Sequence, residues 1–167
     1  MAGTHKSGAH RSASARAQAK SKSGRTRRTG KRDPLAVRLL KTDHREVEKM
    51  FDQYEQLEAQ QDKLQLFQQI ALALKVHTEI EEEIFYPESR GEVEDDMLDE
   101  AQVEHDGAKK LIAEIEAMQP DEELYDAKVH VLGEYIRHHV KEEEQPGGIF
   151  AQAKRGGEDL EEMGRRL

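Results

Sequence analysis

The chain contains no cysteine, few aromatic side chains and no long apolar run. Without cysteine it can form no disulfide, thiolate metal ligand or cysteine nucleophile, so any metal must be held by nitrogen and oxygen atoms. No apolar segment approaches the roughly 20 residues that a membrane-spanning helix requires, and no signal-peptide hydrophobic region is present. A cytoplasmic protein without a membrane partner is therefore the expectation.

Positive charge is concentrated in the first 33 residues, which hold ten Lys or Arg and one acidic residue. The other residues hold 16 basic and 34 acidic side chains, a net charge of about −18. Residues 1–33 are predicted to be a disordered basic tail, because they have too few large apolar side chains to offset the entropy of ordering. The tail has the charge to bind nucleic acid but lacks aromatic side chains that stack on bases, so a solubilising extension is preferred.

The chain has only four prolines, and each lies at a predicted helix boundary. Asp33 and Pro34 predict a helix start, with Asp33 as the N-cap. Pro87 is predicted to end the second helix, and the run Pro146-Gly147-Gly148 to follow the fourth. The predicted helices span residues 34–60, 63–86, 93–118 and, after the turn at Pro120, up to about 145.

Four long helices joined by short turns predict an all-α, up-down-up-down four-helix bundle over residues 34–150. Residues 151–167 are predicted to be a short, partly helical C-terminal extension. No segment has the alternating pattern of a strand.

Each predicted helix carries a histidine within its apolar stripe. The four stripes have the three-and-four-residue spacing of a core-facing helix, and they contain His44, His77, His105 and His139. Glu81 and Glu143 follow the second and fourth of these histidines by four residues, so each pair shares a helix face. A single buried histidine is most often an ordinary core residue, but burying six such groups without partners is costly. The repetition favours a metal site.

The histidines recur with nearly the same spacing in the two halves, 33 residues in the first and 34 in the second. Two helical hairpins would then face one another with pseudo-two-fold symmetry and hold two metal ions bridged by the carboxylates. Nitrogen and oxygen ligands suit iron, manganese or zinc. Nearby acids are candidates for orienting the imidazole N–H groups, namely Glu79, Glu82, Asp106 and Glu142.

Two points are open from the residues alone. His138 and Glu142 also have four-residue spacing, on the neighbouring stripe, but the repeat and the apolar register favour His139 and Glu143. Three tyrosines either donate hydrogen bonds near the metals or are core residues with hydrated hydroxyls, namely Tyr54, Tyr86 and Tyr135.

Four segments carry a specific pattern of order and spacing: Asp43-His44, residues 77–87 ending in Phe85-Tyr86-Pro87, Glu104-His105, and residues 138–143. In these segments the chain resembles the hemerythrin-like, or HHE cation-binding, family, over about residues 34–150. The resemblance implies a four-helix bundle with two iron ions, bridged by oxide or hydroxide, that binds or senses O2, and in some members peroxide or nitric oxide. By position, the residues that look like ligands are His44, His77, Glu81, His105, His139 and Glu143.

The O2-carrying members of this family have another histidine one turn after the third-helix ligand, where this chain has Lys109. A more open site, used for sensing or peroxide chemistry, is therefore favoured over simple O2 carriage. The leading hypothesis is a di-iron protein that binds or senses O2 or a related small oxidant. The alternatives are a peroxide-decomposing, catalase-like enzyme and a metal-stabilised helical scaffold whose basic tail binds nucleic acid.

Overall fold

The computed structural model describes residues 32–167, so the predicted basic tail lies outside the described residues except at its end. The four long helices are α1 (Leu35–Tyr54), α2 (Gln60–Ile80), α4 (Asp95–Glu116) and α5 (Tyr125–Glu144). The short helices are α3 (Tyr86–Ser89), α6 (Ile149–Ala153) and α7 (Leu160–Met163). Residues 32–167 form no strand, which confirms the all-α prediction. Within this range no helix combines the length and apolarity needed to cross a membrane.

The four long helices pack as a closed bundle. Helix α1 contacts α2 and α5, and α4 also contacts both of these helices. Short connections join helices that follow one another in the chain, so sequence neighbours are also spatial neighbours, as in an up-down-up-down arrangement. This packing confirms the predicted helical bundle.

A layer of polar side chains lies between two apolar clusters in the core. One cluster includes Phe51 and Tyr125, and the other includes Phe85 and Phe150. His44 lies on α1 between side chains of the two clusters, and its own exposure is only 3%. The apolar layers therefore exclude water from both sides of the polar one, which strengthens electrostatic interactions inside it.

Pro87 does not end the second helix, so that prediction was wrong. Helix α2 continues into a π-helical turn, Glu81–Phe85, and then into α3, in which Pro87 occupies the first turn. Inside a helix, proline lacks the N–H that would donate a hydrogen bond, and its ring clashes with the carbonyl four residues earlier. In the first turn of a helix that N–H is not needed, and the preceding π turn shifts the carbonyls with which the ring would clash. As a result, the consecutive side chains Phe85 and Tyr86 are both buried.

The predicted N-cap at Asp33 was also wrong. Pro34 occupies the N-cap position of α1, and no side chain caps the helix there. The Asp33 carboxylate instead accepts hydrogen bonds from Lys41 at 3.1 Å and Lys154 at 2.8 Å. It thus connects the start of α1 to the C-terminal segment.

The C-terminal segment is partly helical, as predicted, and it closes one end of the bundle. Helix α6 contacts α5, and α7 contacts α1. The Phe150 ring stacks on the His44 imidazole with centroids 5.7 Å apart. Gly164 permits a close approach to α1, because a Cβ atom there would lie 2.5 Å from the Ala36 amide nitrogen. The segment therefore covers the polar layer at this end of the bundle.

Candidate metal centre

All six side chains singled out in the sequence meet in the buried polar layer. Their donor atoms form two groups, each within 4.8 Å: His44, His77, Glu81 and Glu143 in one, and Glu81, His105 and His139 in the other. Glu81 belongs to both groups. His138 is 58% exposed at its side chain, whereas His139 and Glu143 are buried.

The imidazoles are paired within each helical hairpin. His44 and His77 bring their Nε2 atoms to 3.0 Å, and His105 and His139 bring theirs to 3.1 Å. The two pairs are equivalent in position, as the pseudo-two-fold repeat in the sequence implies.

Each buried carboxylate lies between imidazoles of the two hairpins. Oε2 of Glu81 is 3.2 Å from Nε2 of His77 and 3.4 Å from Nε2 of His105. Oε2 of Glu143 is 3.2 Å from Nε2 of His44 and 3.7 Å from Nε2 of His139. This arrangement suits carboxylates that bridge two neighbouring cations.

A second carboxylate holds the outer nitrogen of every imidazole. The Nδ1-to-oxygen distances are 2.9 Å for His44–Glu144, 3.4 Å for His77–Asp43, 2.9 Å for His105–Glu82 and 2.7 Å for His139–Glu104. A carboxylate is only an acceptor, so each Nδ1 carries the proton and donates it. In its neutral form, each imidazole therefore directs an Nε2 lone pair toward the centre.

Sequence reasoning anticipated one of these outer carboxylates, Glu82. It missed Asp43, Glu104 and Glu144, although each is the immediate neighbour of a site residue in the chain. The acid on one helix orients the imidazole on the next helix, so the signal was an acid beside one ligand on each of the four helical segments. The other candidates do not contact a site imidazole within residues 32–167, namely Glu79, Asp106 and Glu142.

The donor set fits two cations. Glu81 Oε1 and Glu143 Oε2 are buried and accept no hydrogen bond from residues 32–167. Two Nε2 lone pairs 3.0 Å apart, as in His44 and His77, also repel unless a proton or a cation lies between them. Buried oxygens and nitrogens without donors are costly, and a metal ion would satisfy them together.

Without a metal, the surroundings of His77, His139 and Glu81 favour the charged forms of these three groups. Burial opposes a charge on His77, but the Glu81 charge and hydrogen bonds to Asp43 and Glu81 raise its pKa to about 10. Burial likewise opposes a charge on His139, while Glu143 and Glu104 raise its pKa to about 9. Burial also disfavours ionised Glu81, yet the imidazoles hold its pKa well below its usual range. A metal at these two imidazoles must therefore displace a proton from each of them.

Of the three tyrosines, Tyr86 lies in the centre. Its hydroxyl donates to Glu143 Oε1 at 2.8 Å and lies 3.4 Å from both Glu81 Oε2 and His105 Nε2. Burial and the two carboxylates raise the pKa of Tyr86 well above its usual range, so the hydroxyl keeps its proton. Tyr54 instead donates to Asp126, at 2.8 Å.

Lys109 does not supply a donor to the inner ring. Its Nζ donates to both oxygens of Glu82 at 2.6 Å, and Glu82 in turn accepts from His105. The lysine thus neutralises the outer carboxylate of Glu82. At this position, the O2 carriers of the family that the chain resembles have an additional histidine.

A helical bundle that buries four imidazoles and two shared carboxylates belongs to the class of metal-binding four-helix proteins. The family described as hemerythrin HHE cation-binding domain matches residues 35–146, and the chain belongs to this family. Its members bind metal cations.

A relative from Nostoc sp. (strain PCC 7120), named a DNA nickase, is 29% identical over 119 residues. The aligned region covers 71% of this chain and 34% of that protein, so the chain spans about a third of the relative's length. No solved structure gives a significant match to the chain.

Metal binding should depend steeply on pH. A cation must displace protons from His77 and His139 at neutral pH, since their pKa values are about 10 and about 9 without metal. We expect the apparent Co²⁺ affinity to rise about tenfold per pH unit for each displaced proton up to about pH 9. Competition with a chromogenic chelator of known pH dependence measures this slope. An affinity that does not change between about pH 7 and pH 9 would contradict it.

The stability of the metal-free protein should change in the opposite direction. A histidine whose folded pKa exceeds its unfolded value of 6.5 stabilises the fold fully below that pH. This contribution is lost as the pH rises toward 9 and 10. The free energy of unfolding of the metal-free protein in urea, measured at about pH 6.5 and at about pH 10, tests this expectation.

Proposed function

We propose that this protein is a non-haem di-iron protein that binds O2 or a related small oxidant at the buried centre. The six inner side chains would hold the metals, with Glu81 and Glu143 bridging: His44, His77, Glu81, His105, His139 and Glu143. Bound iron would supply redox chemistry and affinity for small diatomic ligands. Manganese and zinc also suit these donors, and a cytoplasmic location is the expectation.

The observation that carries the proposal is the convergence of these donors beside a very small apolar cavity. The cavity has a volume of about 10 Å³ and adjoins all four imidazoles. Its other walls are mainly apolar, and include Val47, Leu74, Ile136 and Val140. This is about the space of one water-sized molecule. Such a volume limits a ligand to about the size of a water molecule and excludes an organic substrate.

A wider cavity of about 230 Å³ between α1 and α2 lies next to this small space. The two cavities share Asp43, Val47 and His77 in their walls. Rotation of these side chains would let a small apolar molecule pass from the surface to the imidazoles.

Tyr86 and the outer carboxylates set the protonation of the centre. The Tyr86 hydroxyl occupies one oxygen of Glu143 and leaves the other facing the imidazoles. The outer carboxylates keep each Nδ1 protonated, so the Nε2 atoms stay available as ligands. Lys109 adds no imidazole, and a ligand position left open in this way favours sensing or peroxide chemistry over carriage.

Elemental analysis of protein purified without added metal, paired with visible spectra, tests the proposal. We expect close to two irons per chain and absorption bands that appear when the ferrous protein meets O2. His77→Ala should lose the bands, whereas His130→Ala, an exposed histidine outside the centre, should keep them. Protein that neither contains iron nor takes it up anaerobically would refute the proposal. Hydrogen peroxide decomposition above the rate of His77→Ala would favour the catalase-like alternative.

We infer DNA strand cleavage as a second candidate function. It is supported by the relative named a DNA nickase and by the ten basic residues in the first 33 of this chain. Conversion of supercoiled plasmid to the open circular form tests it, with wild type, His77→Ala and a chain lacking residues 1–31. A metal-dependent nickase loses activity in His77→Ala, and removal of a tail that binds DNA lowers plasmid conversion most at low salt, where contacts to phosphate contribute most. Equal plasmid conversion by wild type and buffer alone would exclude this candidate.

A further inference from the structure

Outside the buried centre, a third group of possible metal ligands lies on the surface between α4 and α5. It consists of Glu104, His138 and Glu142, whose donor atoms lie within 4.8 Å of one another. Nε2 of His138 is 3.3 Å from Oε1 of Glu142 and 3.8 Å from Oε1 of Glu104. This is the neighbouring four-residue pair that competed with His139 and Glu143 in the sequence. We call it the outer triad.

Behind the outer triad lies a cavity of about 100 Å³ that reaches the buried centre. Glu104 and Glu142 line its outer part, and His139 and Glu143 line its inner part. Glu100 adds another carboxylate, and no Lys or Arg is among the lining residues. The cavity is therefore a short acidic passage between the surface and the inner ligands.

Two observations describe the carboxylates that line the passage. The Oε2 atom of Glu143 is buried and accepts no hydrogen bond within residues 32–167, although His44 Nε2 lies 3.2 Å away. Glu104 is only 14% exposed at its side chain, and neither it nor Glu142 forms an ion pair with Lys or Arg in the same range. The Glu104 oxygens therefore face imidazoles only, with Nδ1 of His139 at 2.7 Å and Nε2 of His138 at 3.8 Å.

Two of the three other outer carboxylates are neutralised by Lys or Arg. Glu82 is paired with Lys109, and Glu144 with Arg45 and Lys41. Glu104 has the same role toward its imidazole, with Oε2 at 2.7 Å from Nδ1 of His139, but its Oε1 faces the exposed His138. The position that a lysine or arginine fills at Glu82 and Glu144 is occupied here by further metal-ligating groups.

We propose that the outer triad is a second, weaker site for a divalent cation, and that it passes the ion through the acidic passage to the buried centre. The inference rests on the proposed function, because it requires the buried residues to bind metal. Glu104 connects the two sites, since one of its oxygens faces the outer ion and the other holds an inner ligand. One imidazole and two carboxylates suit the divalent forms of iron, manganese and cobalt.

Rapid mixing of Co²⁺ with the metal-free full-length protein tests the inference, because the visible Co²⁺ bands report filling of the centre. The double variant His138→Ala/Glu142→Gln should fill the centre about tenfold more slowly, as expected for loss of electrostatic capture, and reach the same final amount. Wild type should show a filling rate that saturates with Co²⁺, because binding at the outer triad precedes transfer. The matched control is His130→Ala/Glu55→Gln, which removes an exposed His–Glu pair elsewhere.

The outcomes separate this inference from the proposed function. If wild type fills its centre and the double variant fills at the same rate, the inference is wrong and the proposed function stands. If wild type takes up no Co²⁺ into the centre, the proposed function fails, and the inference fails with it. A second measurement titrates metal-filled protein with Mn²⁺ by electron paramagnetic resonance. An additional weak equivalent, absent from the double variant, supports the outer triad, and its absence from wild type overturns it.

Discussion

Glu81→Ala is expected to abolish binding at both metal positions, whereas His105→Ala should weaken only one. Oε2 of Glu81 lies 3.2 Å from the imidazole of His77 in one group and 3.4 Å from that of His105 in the other. Removing an outer partner of a metal ligand already lowers affinity about 10–100-fold. Loss of a shared inner carboxylate should exceed this at both positions.

Metal stoichiometry after equilibrium dialysis against Co²⁺ measures the effect. We expect about two equivalents for wild type, about one for His105→Ala and less than one for Glu81→Ala. Glu79→Ala is the matched control, because Glu79 is an exposed acid on the same helix outside the centre. A Glu81→Ala protein that still holds two ions would show that the two groups do not share this carboxylate.

Removal of metal should produce the largest change in stability. Without it, Nε2 atoms of His44 and His77 lie 3.0 Å apart, and two buried carboxylate oxygens have no hydrogen-bond donor among residues 32–167. A metal that binds only the folded state adds about 4 kcal/mol per site at a free concentration of about 1,000 times Kd. For a domain of this size, that corresponds to a rise in Tm of about 10 °C or more.

Differential scanning calorimetry of metal-free and Co²⁺-loaded protein checks this expectation, and Tm should rise further with free Co²⁺ concentration. The double variant His77→Ala/His139→Ala provides the comparison, because it loses an imidazole from each group and should show almost no Tm increase. Identical melting of wild type with and without metal would mean that the donors are satisfied by protons alone.

The bundle and the meeting of the six inner side chains followed from periodicity. A three-and-four-residue stripe specifies which face of a helix is buried, so His44 and His105 could be placed in the core without coordinates. The same periodicity could not separate His139 from its neighbour His138, because adjacent residues on a helix differ by only about 100° in direction. In the structure both pairs form acid–imidazole clusters, one buried and one exposed.

Other features depend on contacts between segments that no local pattern reports. Asp33 pairs with Lys154, far along the chain, as well as with Lys41, and these ion pairs replaced the expected cap. Helices α6 and α7 are too short for the spacing of apolar residues to show which face is buried. Phe150 of α6 nevertheless packs against the imidazole of His44. At Pro87 the local rule for proline was overridden, since the π turn removes the clash on which that rule depends.

The outer carboxylates have a consequence for how the domain gains and loses metal. Each acid and the imidazole that it orients lie on different helices. The four pairs connect α1 to α2, the π turn to α4, α4 to α5, and α5 to α1. No single helix or hairpin therefore carries a complete, oriented ligand. When one helix opens, its own imidazole leaves the centre and the imidazole on the neighbouring helix loses the acid that orients it. Retention of the ion therefore depends on the whole tertiary structure, and the least stable helix sets the rate at which the ion is lost.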